Sequence, residues 1–137
     1  MKAETVIKTR LGAVTGVTNL VADRVYPGAL PLNATLPAIV FKRISSRDLK
    51  GAHSNPGISY VTLQVICVGA KDAPQDDVLA LAEQVRQALD RYGNVYNGLL
   101  VGGVLLYDIQ RGSSAADYDE ALDAHVISTD YVVNHKD

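Results

Sequence analysis

Cysteine occurs once in the 137 residues, at Cys67. No intrachain disulfide can form, which excludes a cross-linked secreted scaffold and points to a reducing compartment. No apolar stretch reaches the ~18 residues that span a bilayer. The start, Met1 to Arg10, alternates charged with apolar residues and lacks the core of a signal peptide. Synthesis in a cytoplasm and no membrane partner are therefore expected. No run of Lys or Arg supplies a basic patch, and the formal net charge is -2, so sequence-specific or tight nucleic-acid binding is not expected. Internal repeats and low-complexity segments are absent as well. What remains, 47% hydrophobic and 20% charged residues, is the balance of a folded domain, and the length predicts one domain over 1–137.

Val6, Ile7, Leu11 and Val14 recur at helical spacing and predict a short amphipathic helix over 3–14. A second apolar stretch, Val17 to Val25, ends at Tyr26-Pro27-Gly28, where proline and glycine are expected to turn the chain. An extended connector follows to Pro37. Ala38 to Ile44 is β-branched and aromatic and reads as a strand, with a long polar loop expected from Ser45 to Gly57. Ile58 to Val68 is the clearest strand, with Val61, Leu63, Val65 and Cys67 on one apolar face. Asp72 and Gln75 have the spacing of a capping box, with Pro74 in the first turn. Val78, Leu81, Ala82, Val85, Ala88, Leu89 and Tyr92 then define a helix that Gly93 ends. Leu99 to Arg111 predicts a strand with a bulge or bend at Gly102-Gly103, Gly112 to Glu120 a polar loop, and Ala121 to Asn134 a last strand. On that strand Leu122, Ala124 and Val126 face one way, and His125, Ile127 and Tyr131 the other. The order predicts an α+β domain in which a mainly antiparallel four-stranded sheet carries two helices on one face. Its second face, with Tyr60, Ile66, Tyr107 and Tyr131, is expected to be half apolar, the character of an interface.

Residues with reactive side chains do not assemble into a motif. His53, His125 and His135 lack an HExxH or CxxC partner set, and the closest pair, Asp123 and His125, leaves a zinc shell half empty. Cys67 sits in an apolar strand, where a thiol packs rather than attacks. Asp117, Asp119 and Glu120 lack the glycine and the distant bidentate glutamate of a calcium loop. Gly98 to Gly103 lacks the Lys-Ser/Thr of a phosphate loop. No catalytic residue, metal or cofactor is expected. The mixed-charge segment Lys42, Arg43, Arg47, Asp48 and Lys50 has two readings: a solvated strand end, or one side of a heterologous contact with Asp117, Asp119 and Glu120 of a neighbouring copy. The expected interface residues are Arg43, Arg47, Asp48, Lys50, Tyr60, Tyr107, Arg111, Asp117, Asp119 and Tyr131.

Asp23-Arg24-Val25-Tyr26-Pro27-Gly28 followed by Leu36-Pro37-Ala38-Ile39-Val40-Phe41-Lys42-Arg43-Ile44-Ser45 resembles the opening of the phage tail completion family, which includes the tail terminators of siphophages. The resemblance continues through the strand Tyr60 to Val68, the helix Asp76 to Leu89 and the closing strands. The first helix departs from the family in its richness in Thr and Val, and the strand ending at Val68 lacks the aromatic residue that often follows there. The resemblance implies a non-enzymatic virion protein at the head-proximal end of the tail. Such a protein ends tail-tube polymerisation, offers a docking surface to the head connector and works as a hexameric ring, with the tail tube protein, the connector and its own copies as partners. A head-side connector or stopper ring is the alternative within phage assembly. From another class, a small enzyme or ligand-binding domain would use Asp123 and His125.

Overall fold

The computed structural model describes residues 2–49, 57–95 and 98–136. The chain opens with α1 (Lys2–Ala13), whose buried positions Ala3, Val6, Ile7 and Leu11 are the apolar stripe of the sequence. A short second helix, α2 (Thr15–Val21), buries Val17 and Val21. The second apolar stretch is thus divided: its first part is helical, and its end forms β1 (Val25–Pro27) instead of a turn. Pro27 is tolerated because β1 is the outermost strand of its sheet, where a missing N–H costs no ladder bond. The turn comes one residue later, at Gly28 with φ +81.

β2 (Ala38–Leu49) runs beyond the expected end at Ile44. It pairs antiparallel with β3 (Ile58–Val68) from Ala38↔Val68 to Leu49↔Ile58, with a bulge between Arg43 and Ser45. The first part of the expected loop, Ser45 to Leu49, is therefore a hairpin arm, because β3 satisfies its backbone whatever its side chains prefer. His53 and Lys50 lie outside the described residues. α3 (Gln75–Leu89) buries Val78, Leu81, Val85, Ala88 and Leu89. The capping box does not form: Pro74 is the N-cap without a side-chain bond, and Asp72 sits in a turn at φ +59, its N–H donating to the Asp123 carbonyl.

β4 (Leu99–Val101) and β5 (Val104–Asp119) meet at Gly102-Gly103, a two-residue hairpin in which both glycines have positive φ, +56 and +81. That backbone is the one a tight hairpin demands. β5 continues to Asp119 through the segment expected to be a loop, paired with β6 (Ala124–Lys136) as far as Asp119↔Ala124. Small and polar residues such as Gly112, Ser113, Ser114, Ala115 and Ala116 carry no strand signal of their own. The ladder offered by β6 decides their conformation.

The result is a single α+β domain whose described residues form three helices and one six-stranded mixed sheet in the order β1-β2-β3-β6-β5-β4, in place of the expected four strands and two helices. Only β1 with β2 is parallel. The helices lie on one face, as expected. Val61, Leu63, Val65 and Cys67 of β3, Ile127, Tyr131 and Val133 of β6, and Ile39 and Phe41 of β2 pack with the buried stripes of all three helices. Tyr131 is a correction: it stands directly opposite Leu63 and is 1% exposed, so it belongs to the helix-covered face and not to the outer one.

Two arginines tie the layers. Arg10 on α1 donates from Nε to the Ala88 carbonyl at 2.9 Å and stacks over Tyr92 at 3.9 Å, satisfying a carbonyl at the end of α3. Glu4 of α1 takes a forked pair of bonds from Arg43 of β2, 2.8 and 3.1 Å. Partial burial, the largest single influence, pushes the Glu4 carboxyl up, but the Arg43 bonds, a backbone bond and nearby positive charge together leave it below its ordinary value. A depressed carboxyl stabilises the fold above its unfolded pKa, and that contribution is lost as pH falls through the folded value. Glu4→Gln is expected to cost about 0.5–1 kcal/mol at pH 7. Urea titrations of the two proteins should converge below about pH 4.

Candidate assembly surface

The residues picked out by charge fall into two groups on opposite margins of the sheet. On the β2 margin, Arg43 holds Glu4, the Arg47 guanidinium lies 5.1 Å over the Tyr60 ring, and Asp48 accepts the Ser59 hydroxyl at 2.9 Å. On the β5 margin, Arg111 donates its backbone N–H to Asp90 at 3.3 Å. Further along that margin, Asp117 caps the Tyr118 N–H at 2.7 Å and Asp119 the Leu122 N–H at 3.2 Å. β3 and β6 separate the margins, so the basic and acidic groups do not meet within one subunit. Tyr60 and Tyr107 are half-buried. Tyr131 is not part of the surface, and burial pushes its phenol up to about 12.

The sheet face without helices presents Tyr60, Thr62, Gln64 and Ile66 from β3 and Ser128, Asp130, Val132 and Asn134 from β6, paired across the ladder. It is more polar than the expected half-apolar face. Its charged members are Lys42, Arg47 and Lys136 against Asp108, Asp117, Asp119 and Asp130, so the two signs nearly balance. The larger exposed apolar side chains are elsewhere: Leu32 is 92% exposed on the connector before β2 and Leu100 69% on β4. Neither has a periodic signal that would mark it in the sequence.

The groups with chemical potential stay apart. Cys67 is 3% exposed, and burial raises its thiol to about 12, so it packs as the sequence indicated. His125 stacks edge-on against Tyr118 with ring centroids 5.0 Å apart, and the Tyr118 hydroxyl reaches Asp123 at 3.5 Å. This is a strand-end contact among aromatic and turn residues, with Asp123 at φ +51. Among the described residues no three His, Cys, Asp or Glu side chains gather at metal-binding distance.

Sequence reasoning missed a pocket of mixed lining formed by Lys2, Arg43, Ser46, Asp48, Ser59, Val61 and His135. His135 is 5% exposed, its Nδ1 is 2.9 Å from the Lys136 carbonyl, and its Nε2 is buried without a hydrogen-bond partner. No spacing rule links residues from α1, β2, β3 and β6, which only the ladder brings together.

The described residues form one helix-backed sheet whose long arms run past their outer neighbour strands. The family described as "Tail completion protein gp17" matches residues 5–132. The chain belongs to that family and is a non-enzymatic structural protein of the virion. Among solved structures it is similar to a chain of the "Virion of native gene transfer agent (GTA) particle", with TM-score 0.78, 14% identity, and 99% of this chain and 98% of that chain covered. At that identity the likeness shows the fold. No curated protein matches.

Proposed function

We propose that this protein is the ring subunit that completes the tail at its head-proximal end, stopping tube growth and offering the surface to which the head connector docks. Membership of the tail completion family carries the reading. Several features support it. The basic β2 margin and the acidic end of β5 sit on opposite sides of one subunit, as a head-to-tail contact between copies requires. The mixed, slightly acidic face of the sheet suits the wall of a channel that DNA crosses without its phosphates being held. Six copies is the number the family resemblance suggests. Tail tube protein, head connector and further copies of the chain are the partners, with Arg43, Arg47, Asp48, Lys50, Tyr60, Tyr107, Arg111, Asp117 and Asp119 as contact residues.

The mechanism is mechanical. One face of the ring imitates the surface a tube subunit binds, and the other refuses a further tube subunit. Gold-labelled antibody against the chain should mark a single end of isolated tails, the end that joins heads. Label found only on tail-free heads would replace this reading with the head-side connector. Tyr60→Lys is expected to change folding stability by less than about 1 kcal/mol, because Tyr60 is half-exposed. The same variant should impair addition to tails. Normal incorporation, counted in purified particles, would remove Tyr60 from the contact set.

A further inference from the structure

Both margins of the sheet are open, and they are open at diagonal corners. β1 covers β2 only as far as Pro27↔Phe41, so Lys42–Leu49 has no outer neighbour among the described residues. β4 covers β5 from Val104 to Leu106, and the turn after α3 continues the cover: Arg91 N–H donates to the Ile109 carbonyl at 2.7 Å and Asp90 accepts the Arg111 N–H at 3.3 Å. From Gly112 to Asp117 no strand lies outside β5 among the described residues, and every one of these residues is exposed. Unpaired strand edges of this kind are templates for another strand, and monomeric proteins shield them.

We infer that the joint between copies is an antiparallel strand pair, in which the open stretch of β5 on one copy adds to the open stretch of β2 on the next. This rests on the ring reading above and specifies its contact. The direction is fixed by the ladder: β2, β3, β6 and β5 each run opposite to the next, so β5 and the β2 of a neighbour placed beside it are antiparallel.

The stagger follows from the register. Ala115, in the middle of the open β5 stretch, is level with Ile66 of β3 through Ser128, whereas Ser45, in the middle of the open β2 stretch, is level with Thr62. Mating the two centres shifts each copy along the strands by four residues, about 13 Å, for every four-strand width of about 19 Å. Copies related by rotation alone meet that condition when the strands tilt by about 35° to the ring axis, within the 35–45° usual for closed barrels. A closed ring then leaves no open edge on any copy.

Charge agrees with this register. Asp117 comes beside Lys42 on the face without helices, and Arg111 comes beside Asp48 on the other, with Ala115 opposite Ser45 and Ser114 opposite Ser46 between them. Ser45 and Ala115 both project from the face without helices, being paired with Thr62 and Ser128.

The test uses two single-cysteine additions to the full chain, S45C and A115C, both at exposed positions, with buried Cys67 as a silent background. A heterologous joint predicts that an oxidised mixture yields disulfide-linked dimers about tenfold or more above either variant alone, because facing antiparallel residues bring Cβ atoms within bonding reach. Negative-stain images of wild-type protein, alone and on isolated tails, report ring formation separately. Rings without mixed cross-links, or dimers from A115C alone, overturn the strand joint and leave the ring reading standing. Neither rings nor cross-links under any of these conditions overturns both.

Discussion

Tyr131→Lys is expected to destabilise the domain by more than about 4 kcal/mol, close to the whole stability of a small domain. Tyr131 is among the largest fully buried side chains, set between Leu63 of β3 and Arg111 of β5 on the helix-covered face. Removing an aromatic ring from such a place costs about 3–5 kcal/mol for lost contacts and the cavity. An ammonium group left in the same place adds a desolvation cost of several kcal/mol, relieved only where it loses its proton or escapes to water. In a urea titration the midpoint should fall to the lowest measurable concentrations or the folded baseline should vanish. A midpoint near that of wild type would return Tyr131 to the surface. Tyr131→Phe, which keeps the ring, should cost far less.

Leu63→Ala is expected to cost about 2–5 kcal/mol. Leu63 is 0% exposed and central to β3, with Arg43 on one side and Tyr131 on the other. Its neighbours are held by two ladders and by the helices above, so the cavity cannot collapse fully. The same titration measures it, with the denaturant slope unchanged because the folded topology is kept. A loss below about 0.5 kcal/mol would mean that the side chain has no core to leave.

The two variants also mark where sequence was a sufficient guide. β3 is readable to the residue because its alternation is strict and one face is wholly apolar. α3 is readable because its apolar residues keep a helical period, although Pro74 and not Asp72 opens it. β6 misleads because both faces carry apolar residues: Val126 and Val132 lie on one, Ile127 and Val133 on the other. Its alternation therefore does not say which face the helices cover, and Tyr131 stands on the covered one. The ends of β2 and β5 are hidden for a different reason. Ser45, Ser46, Gly112 and Ser113 have no strand propensity, and their conformation is dictated by β3 and β6 across the ladder. The short β1 was masked by Pro27, a residue that is harmless only on an outermost strand.

The motif that carried the family resemblance proves to be architectural. Arg24 donates from Nε to the Pro37 carbonyl at 2.9 Å, and its own carbonyl accepts the Ile39 N–H at 2.9 Å. Arg24 therefore joins the two halves of the motif and sets the parallel register of β1 on β2, which begins at Val25↔Ile39. The charged surface was legible as composition, since both groups of charges were named from their signs. Their placement on opposite margins was not, because strand order is not written in local sequence.

The most direct measurement is the length distribution of tails made when this chain is absent. A subunit that ends tube growth predicts tails longer than normal and variable in length, with restoration of a single length when the chain is supplied. Tails of unaltered, uniform length in its absence would contradict the account.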